Sequence, residues 1–296
     1  MTMNLLQPDW PAPAHVRAVF STRAGGVSNG PFDSLNLGDH VRDDAQAVTS
    51  NRALLRQAIG AQPVFLKQVH GWDVARIGAA DVASDVTAGK AAGTSALVAD
   101  ACFTQARGVA CTIMVADCLP VLFTDHAGSF VAAAHAGWRG LLGSERTAAS
   151  TGTAAACHGV LEELTRVFRQ FSDVDINKFA IKSGVNDILA WLGPCIGPQY
   201  FEVGDEVRAA FVAGQSGAAA HFQTMAKPAG QAPKFLANLP GLARDRLHAL
   251  GISQIYGNDG SPPWCTVSQA SQFFSHRRDA ARLGSTGRMA ACIWLA

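Results

Sequence analysis

Cys118 and His135 are the residues whose types and spacing first suggest chemistry. They lie in the stretch VADCLPVLFTDHAGSFVAAAHAGWRG, in which two strongly apolar segments flank the turn sequence DHAG. If residues 125–128 form a four-residue turn, Cys118 lies directly opposite His135 in an antiparallel pair. A thiolate and an imidazole at that separation can both reach one zinc ion. The sequence therefore predicts half of a metal site, although a cysteine in such an apolar run is also typical of a core.

His70 is the third ligand that we predict. A catalytic zinc ion usually has three protein ligands and one open position, and His70 lies at a break between two apolar segments. Asp117 precedes Cys118 and either transfers a proton or orients a zinc-bound histidine. Arg139, in HAGWRG, offers a planar guanidinium that suits phosphate or carboxylate. A surface turn is the alternative interpretation of that segment.

Composition excludes several classes of protein. Of the 296 residues, 48% are hydrophobic and 16% charged, which favours a compact globular chain over a disordered one. A formal charge of +1 gives no electrostatic reason to expect nucleic acid or a membrane surface as partner. The sequence predicts no signal peptide and no membrane span. Seven scattered cysteines without CxxC spacing fit a reducing cytoplasm.

The elements that position these residues follow from periodicity and turn chemistry. Strands and helices intermix with several hairpins, which indicates an α+β fold with mixed sheets. We predict strands on both sides of Gly71, one strand in each of VACTIMVADCLPVLFTD, GSFVAAAHAG and DILAWLGPCIG, and a terminal strand after a basic loop at SHRRD. We predict helices over AQAVTSNRALLRQAIG, about 160–171, GDEVRAAFVAG and 237–250.

Other inviting residues carry weaker signals. GGVSNG imitates a phosphate-binding loop but neither follows a clear strand nor opens a helix. SHRRD is either an anion clamp or a solvated basic face. Three cysteines in apolar surroundings are predicted to be core residues: Cys111, Cys195 and Cys292. For Cys265 the sequence does not decide between a core position and another role.

Six segments in order closely resemble the YfiH-like family, also called the laccase-domain or multicopper polyphenol oxidase family, which is associated with zinc-dependent purine nucleoside phosphorylase activity. The matching segments are STRAGGVSNGPFDSLNLGDHVRDD, LKQVHG, TIMVADCLPVLFTD, AAAHAGWRG, AWLGPCIGPQYFEVGDEV and FFSHRRDAARLGSTGRMAACIWL. The resemblance implies one catalytic domain over residues 1–296, α/β layered, with mixed sheets sandwiched between helical layers. It also implies a monomer.

The resemblance also implies roles for particular residues. His70, Cys118 and His135 match the family's zinc ligands, with copper as the less favoured metal. Asn36 and Arg52 match residues that line the pocket. The implied catalytic set is therefore His70, Cys118, His135 and Arg52, with Asn36, Arg52 and Arg139 as substrate-binding residues. Asp100 is the candidate for the family's acidic residue in TSALVADACFT.

The chain departs from the family pattern after GWRGL, where relatives run almost directly into a helix. The departure predicts an insertion at about 143–187, for which a tolerated surface insertion is favoured over a lid or a determinant of substrate choice.

The implied function is phosphorolysis of purine nucleosides such as adenosine and inosine to the base and ribose-1-phosphate. Adenosine deamination and methylthioadenosine cleavage are possible further activities. The partners are then a nucleoside and phosphate, with no nucleic acid or membrane. Three alternatives are open: a copper polyphenol oxidase, a hydrolase that edits peptidoglycan precursors, and a binding module with an inactive site.

Overall fold

The structure is a computed structural model that describes residues 3–81, 97–145, 157–173, 187–226, 228 and 230–296. Within these residues the helices are α1 (Ala45–Ile59), α2 (Trp138–Leu142), α3 (Val160–Asp173), α4 (Asp205–Gly214), α5 (Leu239–Ala249) and α6 (His276–Leu283). Short 3-10 helices span Gly30–Phe32, Ala218–His221 and Pro262–Trp264. None of the described helices is long and apolar enough to cross a membrane.

Two large sheets form the centre of the molecule. The five-stranded sheet has the order β1-β2-β16-β6-β3, and the six-stranded sheet has the order β15-β11-β7-β8-β5-β4. The strands of the first are β1 (Leu5–Leu6), β2 (Val16–Ser21), β3 (Gln62–Phe65), β6 (Val109–Val115) and β16 (Met289–Leu295). Those of the second are β4 (Val74–Arg76), β5 (Ala101–Thr104), β7 (Leu119–Asp125), β8 (Val131–Ala136), β11 (Ile188–Leu192) and β15 (Gln254–Gly257).

Two smaller sheets complete the strand set of the described residues. One contains β12 (Glu202–Gly204), β13 (Phe222–Thr224) and β14 (Lys234–Ala237), with β14 in the middle. The other pairs β9 (Ser144–Glu145) with β10 (Cys157–His158). The large sheets are mixed, because β3–β6, β4–β5 and β11–β15 are parallel pairs and the remaining pairs are antiparallel.

The core is built in layers. Leu55 of α1 packs in a cluster on one face of the five-stranded sheet, together with Cys292. The other face of that sheet meets the six-stranded sheet through residues such as Ile113. Helices α3, α4 and α5 cover the far side of the six-stranded sheet, where Leu164 and Phe211 lie in the largest cluster. The predicted layering of mixed sheets between helices is confirmed.

The segment VACTIMVADCLPVLFTD is not one strand, so that prediction was wrong. The chain leaves the five-stranded sheet after Val115 and enters the six-stranded sheet at Leu119. Asp117, in the link, has a φ of 85°. This left-handed conformation is incompatible with a continuing strand and turns the chain from one sheet to the other.

The predicted register of β7 and β8 was also wrong, by two residues. His135 lies opposite Pro120, and Thr124 lies opposite Val131. The connection is longer than a four-residue turn because the Asp125 carboxylate accepts hydrogen bonds from the backbone N–H and the hydroxyl of Ser129. Side chains alternate between faces along a strand, so a shift of two residues leaves the predicted ligands on a common face.

The basic segment SHRRD begins a helix and is not the predicted loop. Ser275 caps α6 by accepting a hydrogen bond from the Arg278 N–H, and the helix ends at Gly284, which has a φ of 77°. Serine at the N-cap and glycine after the last turn are favoured helix boundaries. The carbonyl oxygens of Thr266, Val267 and Phe273 accept from Arg278, which therefore fastens a loop to the helix.

The other predicted elements agree closely with the structure. Helix α1 is confirmed, and the predicted helix at 237–250 starts at Leu239 because Ala237 belongs to β14 and Asn238 caps the helix. The three cysteines predicted to be core residues are buried, as is Cys265. Much of the predicted insertion, residues 146–156 and 174–186, lies outside the described residues, and the single-domain assignment stays a prediction.

Candidate metal centre

Three predicted ligands come together where the chain passes between the two large sheets. His70 lies in the connection from β3 to β4, and Cys118 lies in the connection from β6 to β7. His135 is near the end of β8. Their ligand atoms all lie within 4.8 Å of one another, and no other group of three such residues with this property occurs in the described part of the chain.

The geometry of the cluster suits a small ion. Sγ of Cys118 lies 3.8 Å from Nε2 of His70, and the two imidazole rings meet edge to face with centroids 4.8 Å apart. Two donors that each lie about 2.0–2.3 Å from a tetrahedral ion are separated by roughly 3.5 Å. His70 has a φ of 62°, and such non-glycine conformations are concentrated at functional sites.

Asp100 hydrogen-bonds to both histidines of this cluster, to the ring of His135 and to the backbone of His70. Its Oδ1 lies 2.8 Å from Nδ1 of His135, and its carboxylate accepts the N–H groups of Val69, His70 and Gly71. Burial raises the pKa of Asp100, but the hydrogen bond from His135 and the backbone hydrogen bonds outweigh it and lower the pKa below its usual range. An ionised Asp100 holds the Nδ1–H tautomer of His135, which leaves Nε2 for a metal.

Electrostatics prepares the thiol as a ligand. Burial raises the pKa of Cys118, but the charge and hydrogen bond of His135, together with His70, outweigh it and lower the pKa to about 6. For His135, burial lowers the pKa, whereas Cys118 and Asp100 raise it to about 9. The pair is therefore a thiolate and an imidazolium near neutral pH, and the thiolate is the form that binds metals.

Gly137 leaves room for the ion. A Cβ atom at this position would lie 3.1 Å from Sγ of Cys118 and 3.2 Å from Cδ2 of His70. Any side chain at residue 137 would therefore crowd the ligands. Glycine is needed here because of this close approach.

Asp117 hydrogen-bonds to residues outside the cluster. Its Oδ1 accepts a hydrogen bond from the Thr266 hydroxyl at 2.6 Å, and its Oδ2 accepts the N–H of Arg277 at 2.6 Å. The carboxylate thus binds the start of α6, and neither of these hydrogen bonds goes to a histidine of the cluster. A role of Asp117 in proton transfer stays a prediction. Asp100 instead orients His135, and Asp117 fixes the link that carries Cys118.

Asn36 lies in a loop, and Arg52 lies on α1 beside that loop. Asn36 is fully buried, its Oδ1 accepts the N–H groups of Gly38 and Arg288, and its Nδ2 donates to Gly38 O and Asp43. The amide of Asn36 is therefore saturated within the protein and shapes the loop. Nε of Arg52 donates to Leu37 O at 2.9 Å, which fixes this arginine beside the same loop.

The guanidinium of Arg52 forms an ion pair and packs on an aromatic ring. Its Nη2 lies 3.2 Å from the exposed carboxylate of Asp39, and its Cζ lies 4.1 Å from the ring centroid of Phe65. An ion pair with an exposed carboxylate is weak in water.

Arg139 is exposed at the start of α2. Its Cζ lies 4.3 Å from the ring of Trp138. Gly137, where an added Cβ atom would meet the cluster, lies two residues before Arg139. The Arg139 side chain itself packs on Trp138.

Arg288 is the residue near the cluster that sequence analysis missed. Cys118 and Asp117 both act electrostatically on its guanidinium, and burial lowers its pKa. A signal was available in the sequence, because GSTGRM places an arginine directly before an apolar terminal strand.

The donor chemistry of the cluster fits zinc. Two imidazole nitrogens and one thiolate are ligands that zinc prefers, and three protein ligands leave one position for substrate. The buried Asp100–His135 pair is the kind of outer support that zinc-bound histidines have in proteins.

A family described as multi-copper polyphenol oxidoreductase laccase matches residues 17–296. The chain belongs to this family. Its YfiH relatives include an Escherichia coli protein named purine nucleoside phosphorylase YfiH, which is 43% identical over 294 residues and covers 99% of each chain. A Pseudomonas aeruginosa protein, also named a purine nucleoside phosphorylase, is 43% identical over 290 residues, with 98% of each chain covered.

A solved structure supports the same assignment. The YfiH-like chain is similar to a Neisseria meningitidis protein of the DUF152 family, with 40% sequence identity, 99% of each chain covered and a TM-score of 0.75. The predicted family and its layered fold are therefore confirmed for this laccase-domain protein.

Proposed function

We propose that this protein is a zinc-dependent purine nucleoside phosphorylase that converts adenosine or inosine to the free base and ribose-1-phosphate. The observation that carries the proposal is the cluster of His70, Cys118 and His135 in a chain 43% identical to proteins named purine nucleoside phosphorylase. A catalytic role for these three residues and Arg52 is part of the proposal.

The residues around the cluster suit a nucleoside and an anion. Val69 and Val98 expose about half of their surface (50% and 52%). Val69 directly precedes His70 and donates its N–H to Asp100, and Val98 lies two residues before Asp100. They offer an apolar surface for a purine. Arg52 and Arg139 each present a guanidinium, which binds phosphate oxygens in a bidentate manner. Asn36 supports this pocket through the conformation of its loop.

His70, Cys118 and His135 would hold the zinc ion. When bound, zinc would supply a Lewis acid that favours an anionic nucleophile or a developing negative charge. Asp100 keeps His135 in one tautomer, and Gly137 keeps the space between the ligands open. Adenosine deamination and methylthioadenosine cleavage are included in the proposal as secondary activities of the same pocket, and a cytoplasmic monomer is the proposed form.

A copper polyphenol oxidase is the second candidate, because the family description names that activity. Multicopper chemistry needs several metal sites, whereas the described residues contain one cluster of three ligands. Copper and zinc contents of protein prepared without added metal distinguish the two candidates. Release of an amino acid from a peptidoglycan precursor would instead support the hydrolase alternative.

The test uses purified protein of known zinc content, incubated with adenosine or inosine with and without phosphate, and chromatography of the products. Adenine or hypoxanthine that forms only with phosphate is the expected result. Inosine formed from adenosine without phosphate would place deamination first. No product at full zinc occupancy would contradict the proposal.

Two variants connect the activity to the cluster. Cys118→Ala and His70→Ala should lose zinc and phosphorolysis together, whereas His126→Ala, at an exposed histidine in the β7–β8 connection, should retain both. Phosphorolysis by zinc-free Cys118→Ala at the wild-type rate would remove the cluster from the reaction.

A further inference from the structure

Arg288 lies beside the connection that carries Cys118. Met289 pairs with Val115 in the antiparallel pair of β16 and β6. The residue before Met289 therefore extends past the end of β6, alongside the link of residues 116–118. Asp117 and Cys118 are the two groups that raise the pKa of Arg288 against the effect of burial, which is consistent with this placement.

The protein holds Arg288 in a fixed position. Its backbone N–H donates to Oδ1 of Asn36 at 2.8 Å, and its carbonyl oxygen accepts the N–H of Leu37 at 3.0 Å. A Cβ atom at Gly38 would lie 2.7 Å from Cγ of Arg288, so the stem of the side chain packs against this glycine. The saturated amide of Asn36 thus positions an arginine.

The guanidinium of Arg288 is only half satisfied. Nη1 donates to the carbonyl oxygens of Thr286 and Gly287 at 3.1 and 3.2 Å. Among the residues that the structure describes, none accepts a hydrogen bond from Nε or Nη2, and no carboxylate forms an ion pair with Arg288. Cys118 and Asp117 supply negative charge nearby, but neither hydrogen-bonds to the guanidinium. A partly buried guanidinium with unused donors is costly unless a ligand accepts from them.

The two unused donors have the geometry of an anion site. Nε–H and Nη2–H lie on one edge of the guanidinium and point the same way, so they match two oxygens of a phosphate. Arg52 contacts the same loop residue as Arg288: Nε of Arg52 donates to Leu37 O, and Leu37 N donates to the backbone oxygen of Arg288. The two arginines therefore contact one loop residue.

We propose that Arg288 binds the phosphate co-substrate, through Nε and Nη2, beside the cluster of His70, Cys118 and His135. The inference rests on the proposed phosphorylase function and assigns the main contact with phosphate to Arg288, ahead of Arg52 and Arg139.

The experiment measures binding of inorganic phosphate to the zinc-loaded protein by isothermal titration calorimetry, and the KM for phosphate and for inosine. Arg288→Gln should weaken phosphate binding about tenfold to a hundredfold, because a hydrogen bond to a charged group is lost. Arg288→Lys should be intermediate, since it keeps the charge without the fork. Arg282→Gln is the matched control, at a side chain on α6 that is 71% exposed. Zinc content and thermal unfolding are measured for each variant.

Each outcome distinguishes this inference from the proposed function. Phosphorolysis by Arg288→Gln with an unchanged KM for phosphate would overturn the role of Arg288 and leave the phosphorylase standing. Phosphate binding that depends on Arg288 in a wild-type protein without phosphorolysis would keep the anion site and overturn the phosphorylase. Loss of zinc from both Arg288→Gln and Arg288→Lys, with phosphate affinity unchanged after zinc is restored, would show that Arg288 only stabilises the Cys118 thiolate.

Discussion

Asp100 lies 2.8 Å from His135, carboxylate Oδ1 to imidazole Nδ1, and both side chains are buried. The same carboxylate accepts the N–H of His70 at 2.9 Å. One side chain therefore sets the orientation of one proposed ligand and the backbone of another. Asp100 therefore supports two of the three proposed ligands.

Asp100→Asn should lower zinc affinity by about tenfold to a hundredfold, because outer partners of zinc-bound histidines have effects of this size. An amide also gives His135 a choice of tautomers, since it can donate as well as accept. Competition with a chromophoric chelator measures the affinity. Asp259→Asn, in an exposed loop, is the control and should bind zinc as the wild type does. Equal affinities in the two variants would contradict the role of Asp100.

Gly137→Ala should reduce zinc affinity at least about tenfold while the protein stays folded, because the new methyl group lies against Cys118 and His70. Gly78→Ala is a suitable control, since a Cβ atom there meets nothing within 4 Å. Zinc content after dialysis and circular dichroism of both variants test this expectation. Full zinc occupancy in Gly137→Ala would mean that the ligands can move aside.

Zinc binding should release a proton near neutral pH. With a pKa of about 6 for Cys118 and about 9 for His135, the proton of the pair resides on the imidazole between these values. Zinc must displace that proton, so its affinity should rise about tenfold per pH unit in this interval and fall more steeply below about pH 6, where the thiolate is also protonated. Calorimetry in buffers of different ionisation enthalpy counts the protons. An affinity independent of pH would refute the thiolate–imidazolium pair.

Thr266→Val should destabilise the protein by about 1–3 kcal/mol, because the buried Asp117 carboxylate loses the hydroxyl that binds it at 2.6 Å. Urea unfolding of the zinc-free protein measures the free energy of unfolding. The comparison is Thr49→Val, whose exposed hydroxyl donates to Ala45 O within α1 and whose loss should change little. A smaller effect at Thr266 than at Thr49 would show that Asp117 is not held as described.

Sequence patterns predicted the elements that depend on neighbouring residues. Gly60 ends α1, as it ends the predicted helix, and Asp44, directly before the predicted segment, caps it by accepting the N–H groups of Gln46 and Ala47. The convergence of His70, Cys118 and His135 was also predicted, partly by a register argument that was wrong in detail. It succeeded in grouping Cys118 and His135 because an error of two residues preserves the face of a strand.

Features that depend on distant residues could not be predicted from spacing. Asp117 accepts the N–H of Arg277, 160 residues away, and this contact turns a predicted strand residue into the anchor of a helix. Asp100 and Arg288 acquire their roles only when β5 and β16 take their places in the sheets. Periodicity reports which face of an element is buried and contains no information on which buried polar groups meet.

His70 lies in the β3–β4 connection and Cys118 in the β6–β7 connection, and both connections pass from the five-stranded to the six-stranded sheet. A metal ion bound by both residues would therefore link the two sheets. The spacing of the ligands then depends on how the sheets rest on each other through residues such as Ile113. Packed interiors transmit small displacements. A small shift of one sheet against the other would therefore increase the distances between the proposed ligands while the hydrogen bonds within each sheet stayed intact. The apolar packing between the two sheets therefore helps to set the distances between the proposed metal ligands.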